Sequence, residues 1–520
     1  MLKGMVRRHK KIHWKVWLQL SPLLVILVIT FAGVMNLQVV REYFGRASGQ
    51  EANLVIDTQS DLGPMPRPWR NLAQGGEAFD WNITPITAKV SELKPQYIRL
   101  DHIYDFYDIV HKDGDQLSFD FSKFDPILDQ IKATGATPFI ALSYMPPAIS
   151  SGDIISAPNN YSDWQLTVQK TIEHVSGEKA IPNVYYEVWN EPDWFGKWGR
   201  SGNKSYMTLY KYSAQGAAAA QNTRPFKFGG PAITNLMKNW FYDFFEFAKK
   251  ENLRVDFFSW HRYNTKVEQF EKDISDTHEW LRDFPEYQNT EMVISEWGHD
   301  SENNGGYDTS FGAAHTVATA IQMVGTIEKG FVFEIEDGKD PEGKAQWGRW
   351  GLLTNQAFGA QPKPRYQALK LLDKIGETRL DLLGKGTWVK AIASRSAKTD
   401  AIVVVIANYD PSSDNVENVP ITFQNVFPGE YNLTQTFLGG NVKVDKVATD
   451  AATLKTHITM PSNSVALIEL SHEGDLPSVT PEQSQTFTPR VIVPQPTATP
   501  PITAGPSPTP RTGFGRILEP

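Results

Sequence analysis

Two glutamates stand in short motifs suited to carboxylate chemistry: Glu191 in Trp189-Asn190-Glu191-Pro192-Asp193 and Glu296 in Ile294-Ser295-Glu296-Trp297. Each closes an apolar run, Val184–Trp189 and Met292–Ser295. Two facing carboxyl groups can divide the work of cleaving a glycosidic bond. One, as the acid, protonates the leaving oxygen, and the other, as the carboxylate, meets the developing oxocarbenium charge. A separation of about 5 Å would bring the second group to the anomeric carbon and give retention of configuration. A lone glutamate at a strand end is ordinarily a surface or ion-paired residue, so it is the pairing that carries the argument.

Bringing two such residues to one mouth requires a scaffold. Residues 53–372 alternate short apolar runs with helical patterns. The runs are Leu54–Asp57, Tyr97–Leu100, Pro138–Leu142, Val184–Trp189, Phe226–Gly229, Val255–Trp260, Met292–Ser295 and Phe331–Ile335. Parallel strands need crossovers of a dozen or more residues, and eight such repeats predict a (β/α)8 TIM barrel. Asp125, Pro126 and Gly135 illustrate the local logic, as expected N-cap, first helical residue and left-handed C-terminal residue of one helix.

Barrel sites lie at the C-terminal strand ends. The second run ends in Arg99-Leu-Asp101-His102, the sixth in His261-Arg-Tyr263 and the eighth in Glu334-Ile-Glu336-Asp337. Strand alternation would turn His102 away from the site and put Glu334 and Glu336 on one face, where they could bind sugar hydroxyls. Asp337 reads as a solvated loop charge. Trp194, Trp198 and Trp297 flank the glutamate motifs and Tyr144 ends the third run. Flat aromatic faces suit pyranose C–H groups, so at least one should stack on sugar. Lys197 and Arg200 could meet a uronic carboxylate.

Residues 373–470 switch to period two and predict a small antiparallel β-sandwich, either carbohydrate-binding or simply packed on the barrel. Residues 471–520 hold 11 of the 34 prolines and predict a disordered Pro/Thr-rich tail.

The chain has 520 residues, no cysteine and a net charge of −8. Disulfides and thiolate metal sites are excluded. Six cations and no acid lie in residues 1–16, which leaves −14 for the remainder. An acidic globular part without a basic, aromatic-studded stripe is not a nucleic-acid binder. Residues 17–40 carry no charge and are long enough to span a bilayer, which predicts a transmembrane anchor. The basic residues 1–16 would stay cytoplasmic, with 41–52 as a tether and the catalytic part outside the cell membrane. A cleaved signal peptide and a secreted protein is the competing reading. No metal or cofactor motif stands in a convincing context.

Trp189-Asn190-Glu191-Pro192-Asp193 resembles the acid/base signature of glycoside hydrolase family 39, which includes β-xylosidases and α-L-iduronidase. The resemblance extends to Ile294-Ser-Glu296-Trp, to Phe257-Phe-Ser-Trp-His261-Arg-Tyr263, and to Trp350-Gly-Leu-Leu-Thr with Lys363-Pro-Arg-Tyr. It covers about residues 53–470. It implies a retaining (β/α)8 enzyme with Glu191 as acid/base and Glu296 as nucleophile. It further implies that Asn190 binds the sugar 2-hydroxyl, that Tyr263 orients Glu296 and Arg99 keeps it ionised, and that His261 touches Glu191 or the sugar. The family often has Arg-x-His on strand 2, where this chain has Asp101, and that leaves the substrate open. The expected activity is hydrolysis of O-glycosidic bonds in poly- or oligosaccharides, β-xylosidase-like or on an exopolysaccharide. A transglycosylase and a non-catalytic surface carbohydrate-binding protein are the alternatives.

Overall fold

The computed structural model describes residues 49–474, apart from 76–78, 80, 341 and 345–347. The expected membrane anchor at 17–40 and nearly all of the expected tail lie outside the described residues. Among the described residues, no helix is long and apolar enough to cross a membrane.

Eight parallel strands close a barrel: β1 (Asn71–Gln74), β2 (Tyr97–Leu100), β3 (Thr137–Leu142), β4 (Val184–Val188), β5 (Phe226–Ile233), β6 (Phe257–Tyr263), β7 (Glu291–Gly298) and β8 (Lys329–Phe333). β8 pairs back onto β1 with Phe331 opposite Asn71. Ala73, Phe139, Tyr185, Phe257, Val293 and Phe331 fill the interior. The alternate residues, among them Ile98, Ile140, Tyr186, Phe258 and Ile294, pack outward against the helices. Inward positions one layer above this plug therefore face the C-terminal mouth.

The first strand differs from expectation. Leu54–Asp57 is not in the barrel; it pairs antiparallel with Thr378–Leu383 and parallel with Glu417–Gln424. Leu54 and Ile56 are buried in the core of the second domain, while Val55 and Asp57 are half-buried. That one-sided pattern suits a sandwich, whereas a barrel strand is buried on both faces. The true β1 escaped an apolar-run criterion because its ends are polar. Asn71 donates to the Pro68 carbonyl (2.8 Å) and Gln74 to Glu334 (2.9 Å), so both are buried with partners.

The second domain is the expected sandwich, built of nine strands. Leu54–Asp57 joins it from outside residues 373–470, and its pairing with Glu417–Gln424 is parallel. Its last strand runs on to His472. It packs on the barrel helix Ser310–Met323, and Tyr409 donates to the Thr265 carbonyl (2.7 Å).

The helix Asp125–Ala133 begins one residue earlier than expected, with Phe124 at the N-cap. Asp125 accepts from His174 (2.7 Å) instead of capping. Gly135 takes the left-handed conformation, with φ +91°.

Candidate active site

A cavity of about 700 Å³ opens at the C-terminal mouth of the barrel. Glu191 reaches it from the loop after β4. Trp189 and Glu191 both take positive φ, 73° and 48°. This breaks the strand and turns the glutamate over the mouth, where its amide donates to the Ala232 carbonyl (3.0 Å). Glu296 arrives by another device. A β-bulge between Ile294 and Glu296 shifts β7 by one residue against β6, so that Glu296 stands opposite His261. Without it, Glu296 would follow Ile294 onto the helix-facing side, since a one-residue slip exchanges the two faces. The same bulge sends Trp297 outward, where it is fully buried near Phe270 and His315. Trp297 is thus a core residue and does not line the cavity.

The two carboxylates meet across His261. Its Nδ1 lies 2.8 Å from Glu191 Oε1 and 3.4 Å from Glu296 Oε2. One oxygen of each glutamate and a ring nitrogen of His261 all lie within 4.8 Å of one another. Three such atoms could hold a cation, but the Arg99 guanidinium beside Glu296 works against one. Arg99 NH1 donates to Glu296 Oε1 (2.7 Å) and the Tyr263 hydroxyl donates to Oε2 (2.8 Å). Arg99 also donates through Nε to Glu187 (2.7 Å) and through NH2 to Asn190 Oδ1 (2.8 Å). Asn190 in turn donates from Nδ2 to Asp101 (3.2 Å) and to the Tyr144 hydroxyl (3.0 Å).

Burial pushes the Glu296 carboxyl above the usual range, while His261 and Arg99 pull it back. For His261, burial works against the cation, but the carboxylates of Glu296 and Glu191 outweigh it and raise the imidazole. Burial, with the Glu296 charge, holds Tyr263 well above its ordinary value, so the hydroxyl keeps its proton and donates. The arrangement therefore offers one carboxylate fixed by two donors, a second carboxyl group one side chain away, and between them an imidazole whose cationic form both glutamates favour.

Asp101, Asn190, Tyr144, Tyr263 and Trp194 all line the cavity. His102 also lines it, contrary to expectation, because its left-handed backbone (φ 54°) interrupts the alternation of β2. Its Nδ1 pairs with Asp105 (2.7 Å). Trp198 is buried against Trp189.

The cluster after β8 is not drawn into the cavity. Glu334 accepts from Gln74 and from the Gly75 amide, and Glu336 accepts from Trp81 (2.9 Å) and Gln356 (2.7 Å). Both are buried and clasp the ends of β1 and β8. Asp337 is buried rather than solvated, pairs with Lys363 (2.7 Å), and is raised to about 6, chiefly by burial. Arg200 pairs with Asp243, and Lys197 does not line the cavity.

Several lining residues carry no sequence signal of their own, among them Phe195, Thr234, Asn235, Glu302, Phe333 and Trp350. Glu187 is different. It is a carboxylate inside an otherwise apolar run, and that alone marks it as a partner for a buried cation.

The model of glycosyl hydrolases family 39 matches residues 53–435. A β-xylosidase of Caldicellulosiruptor saccharolyticus is 25% identical over 349 residues, covering 60% of this chain and 69% of that one. A β-xylosidase of Geobacillus stearothermophilus is 26% identical over 310 residues, covering 53% and 60%. The crystal structure of a monomeric β-xylosidase from Caulobacter crescentus superposes with a TM-score of 0.68 at 19% identity, covering 81% of this chain and 100% of that one, a likeness of fold. With a barrel mouth carrying two facing glutamates and a family match over most of its length, the chain belongs to glycosyl hydrolases family 39 and is a glycosidase acting on O-glycosyl compounds.

Proposed function

We propose that the chain is a retaining glycosidase that works by double displacement on oligo- or polysaccharides, with β-xylosidase-like specificity. The observation that carries this is the spacing of Glu191 and Glu296, whose nearest oxygens lie within 4.8 Å, near the separation of retaining pairs.

In the first step Glu296 attacks the anomeric carbon. Arg99 and Tyr263 hold its oxygens for in-line approach, and Glu191 gives its proton to the leaving oxygen as the C–O bond breaks. In the second step Glu191, now ionised, takes a proton from water, which displaces Glu296 from the anomeric carbon. Asn190, fixed through both ends of its amide, lines the cavity beside Glu191 and holds Asp101 and Tyr144 in its wall. Glu334 and Glu336 support the mouth from behind. The names of the relatives given above support a xylosidase-like substrate.

In this reading the uncharged run at 17–40 anchors the enzyme with its catalytic part outside the cell membrane. Protease accessibility on intact cells checks the anchor, and loss of protein to the medium would refute it.

Glu296→Ala tests the mechanism. It should abolish turnover, and azide should restore it, giving a glycosyl azide of configuration opposite to the substrate's. Near-native turnover by Glu296→Ala would overturn the assignment.

A further inference from the structure

We propose that Asp101 is a specificity-determining residue that selects an uncharged sugar ring in the cleavage position and turns away uronates. The inference rests on the glycosidase reading above and names the substrate's charge class.

The acids that line the cavity are Asp101, Glu191, Glu296 and Glu302, and no lysine or arginine lines it among the described residues. His102 supplies one positive charge at most, and its Nδ1 faces Asp105. Arg99 lies directly beneath, but each of its nitrogens is committed: Nε to Glu187, NH1 to Glu296 and NH2 to Asn190. Its side chain is fully buried, so it has no face left for a substrate carboxylate. The nearby cations are occupied too. Arg200 pairs with Asp243, and Arg262 with Asp273 and Asn235.

Of the two lining acids with no assigned part in bond cleavage, Glu302 is exposed and Asp101 is buried beside the catalytic groups. It accepts from Asn190 through Oδ2, and Asn190 stands beside Glu191 in the chain. Asp101 shares the cavity wall with both catalytic glutamates, and its charge acts on Glu296. A carboxylate there has lone pairs left to accept sugar hydroxyls and repels a ring carboxylate. Two like charges a few ångströms apart in a partly dry site disfavour binding by on the order of 100-fold.

The test compares 4-nitrophenyl β-xyloside and β-glucoside with the matching β-glucuronide, using the full chain. The wild-type kcat/KM should favour the neutral sugars by about 100-fold or more. Asp101→Asn should shrink that ratio about tenfold, and Asp101→Glu should largely keep it. Comparable rates on the glucuronide, or an unchanged ratio in folded Asp101→Asn, would overturn the proposal. If Asp101→Asn fails to fold, Asp101→Ser takes its place. In parallel, Glu296→Gln is titrated calorimetrically with xylobiose and with glucuronyl-xylose. Tighter binding of the uronate refutes this inference alone, whereas failure to cleave any glycoside refutes the glycosidase mechanism and leaves the binding comparison to decide the selectivity.

Discussion

Arg99 and Glu187 form an ion pair at 2.7 Å with both side chains fully removed from water. Glu187 therefore balances a guanidinium that also serves Glu296. Replacing Glu187 by Gln keeps the shape and removes the charge. Unfolding stability should fall by about 2 kcal/mol. Arg99 would then be left to fewer anions, so Glu296 should ionise more readily and the acidic limb of the rate profile should move to lower pH. Urea unfolding and a pH series on kcat/KM read the two effects, and no change in either would remove Glu187 from the site.

Glu191→Gln should separate leaving groups. For a poor leaving group, loss of the proton donor should lower the rate about 100-fold or more. For a dinitrophenyl glycoside, which leaves without help, the first step should be nearly unaffected. Equal losses across the series would contradict the acid role.

His261→Asn should move the acidic limb upward. Burial raises the Glu296 carboxyl and the His261 cation lowers it. Removing that cation raises it further, so the nucleophile is lost to protonation at a higher pH. The imidazole is itself raised by the two glutamates. Its contribution to stability is full below the unfolded value near 6.5 and disappears as pH rises through the folded value. A limb that stays put in His261→Asn would show that the histidine is uncharged in the working enzyme.

Trp194 is 66% exposed at the cavity rim, three residues beyond Glu191. Trp194→Ala should raise KM for oligosaccharides about tenfold while leaving kcat on small aryl glycosides within a factor of two. Steady-state kinetics on both substrate types decides it.

Ile56→Ala tests the N-terminal strand. Ile56 is fully buried in the sandwich, so its truncation should cost about 3 kcal/mol. A change below about 0.5 kcal/mol, the size typical of surface positions, would contradict its place in that core.

The placement of Arg99, Asp101, Asn190, Glu191, His261, Tyr263 and Glu296 was legible because each ends an apolar run, and barrel strands deliver their ends to one mouth. Three departures share a cause. The period-two rule holds only while the strand is regular. The bulge before Glu296 moved Trp297 to the helix side, the left-handed turn at His102 moved that ring into the cavity, and the polar ends of Asn71–Gln74 hid a strand. Bulges and left-handed residues leave little trace in hydropathy, because they alter direction and not composition. Glu334 and Glu336 were misplaced for a related reason. An acidic cluster at a barrel end reads the same whether it faces sugar or, as here, the side chains and amides that seal β1 to β8.

Leu54–Asp57 gives the molecule an order of assembly. Among the described strands this one is synthesised before the others, yet its antiparallel partner Thr378–Leu383 follows roughly 330 residues later, and its parallel partner later still. The barrel can close in that interval from its own eight strands. Until the second domain arrives, Leu54 and Ile56 remain an unpaired apolar edge, the kind of surface that recruits foreign strands or proteases. The strand is thus a bolt thrown last. A chain cut short within the second domain, even with a complete catalytic barrel, would carry a visible mark of its incompleteness near its beginning.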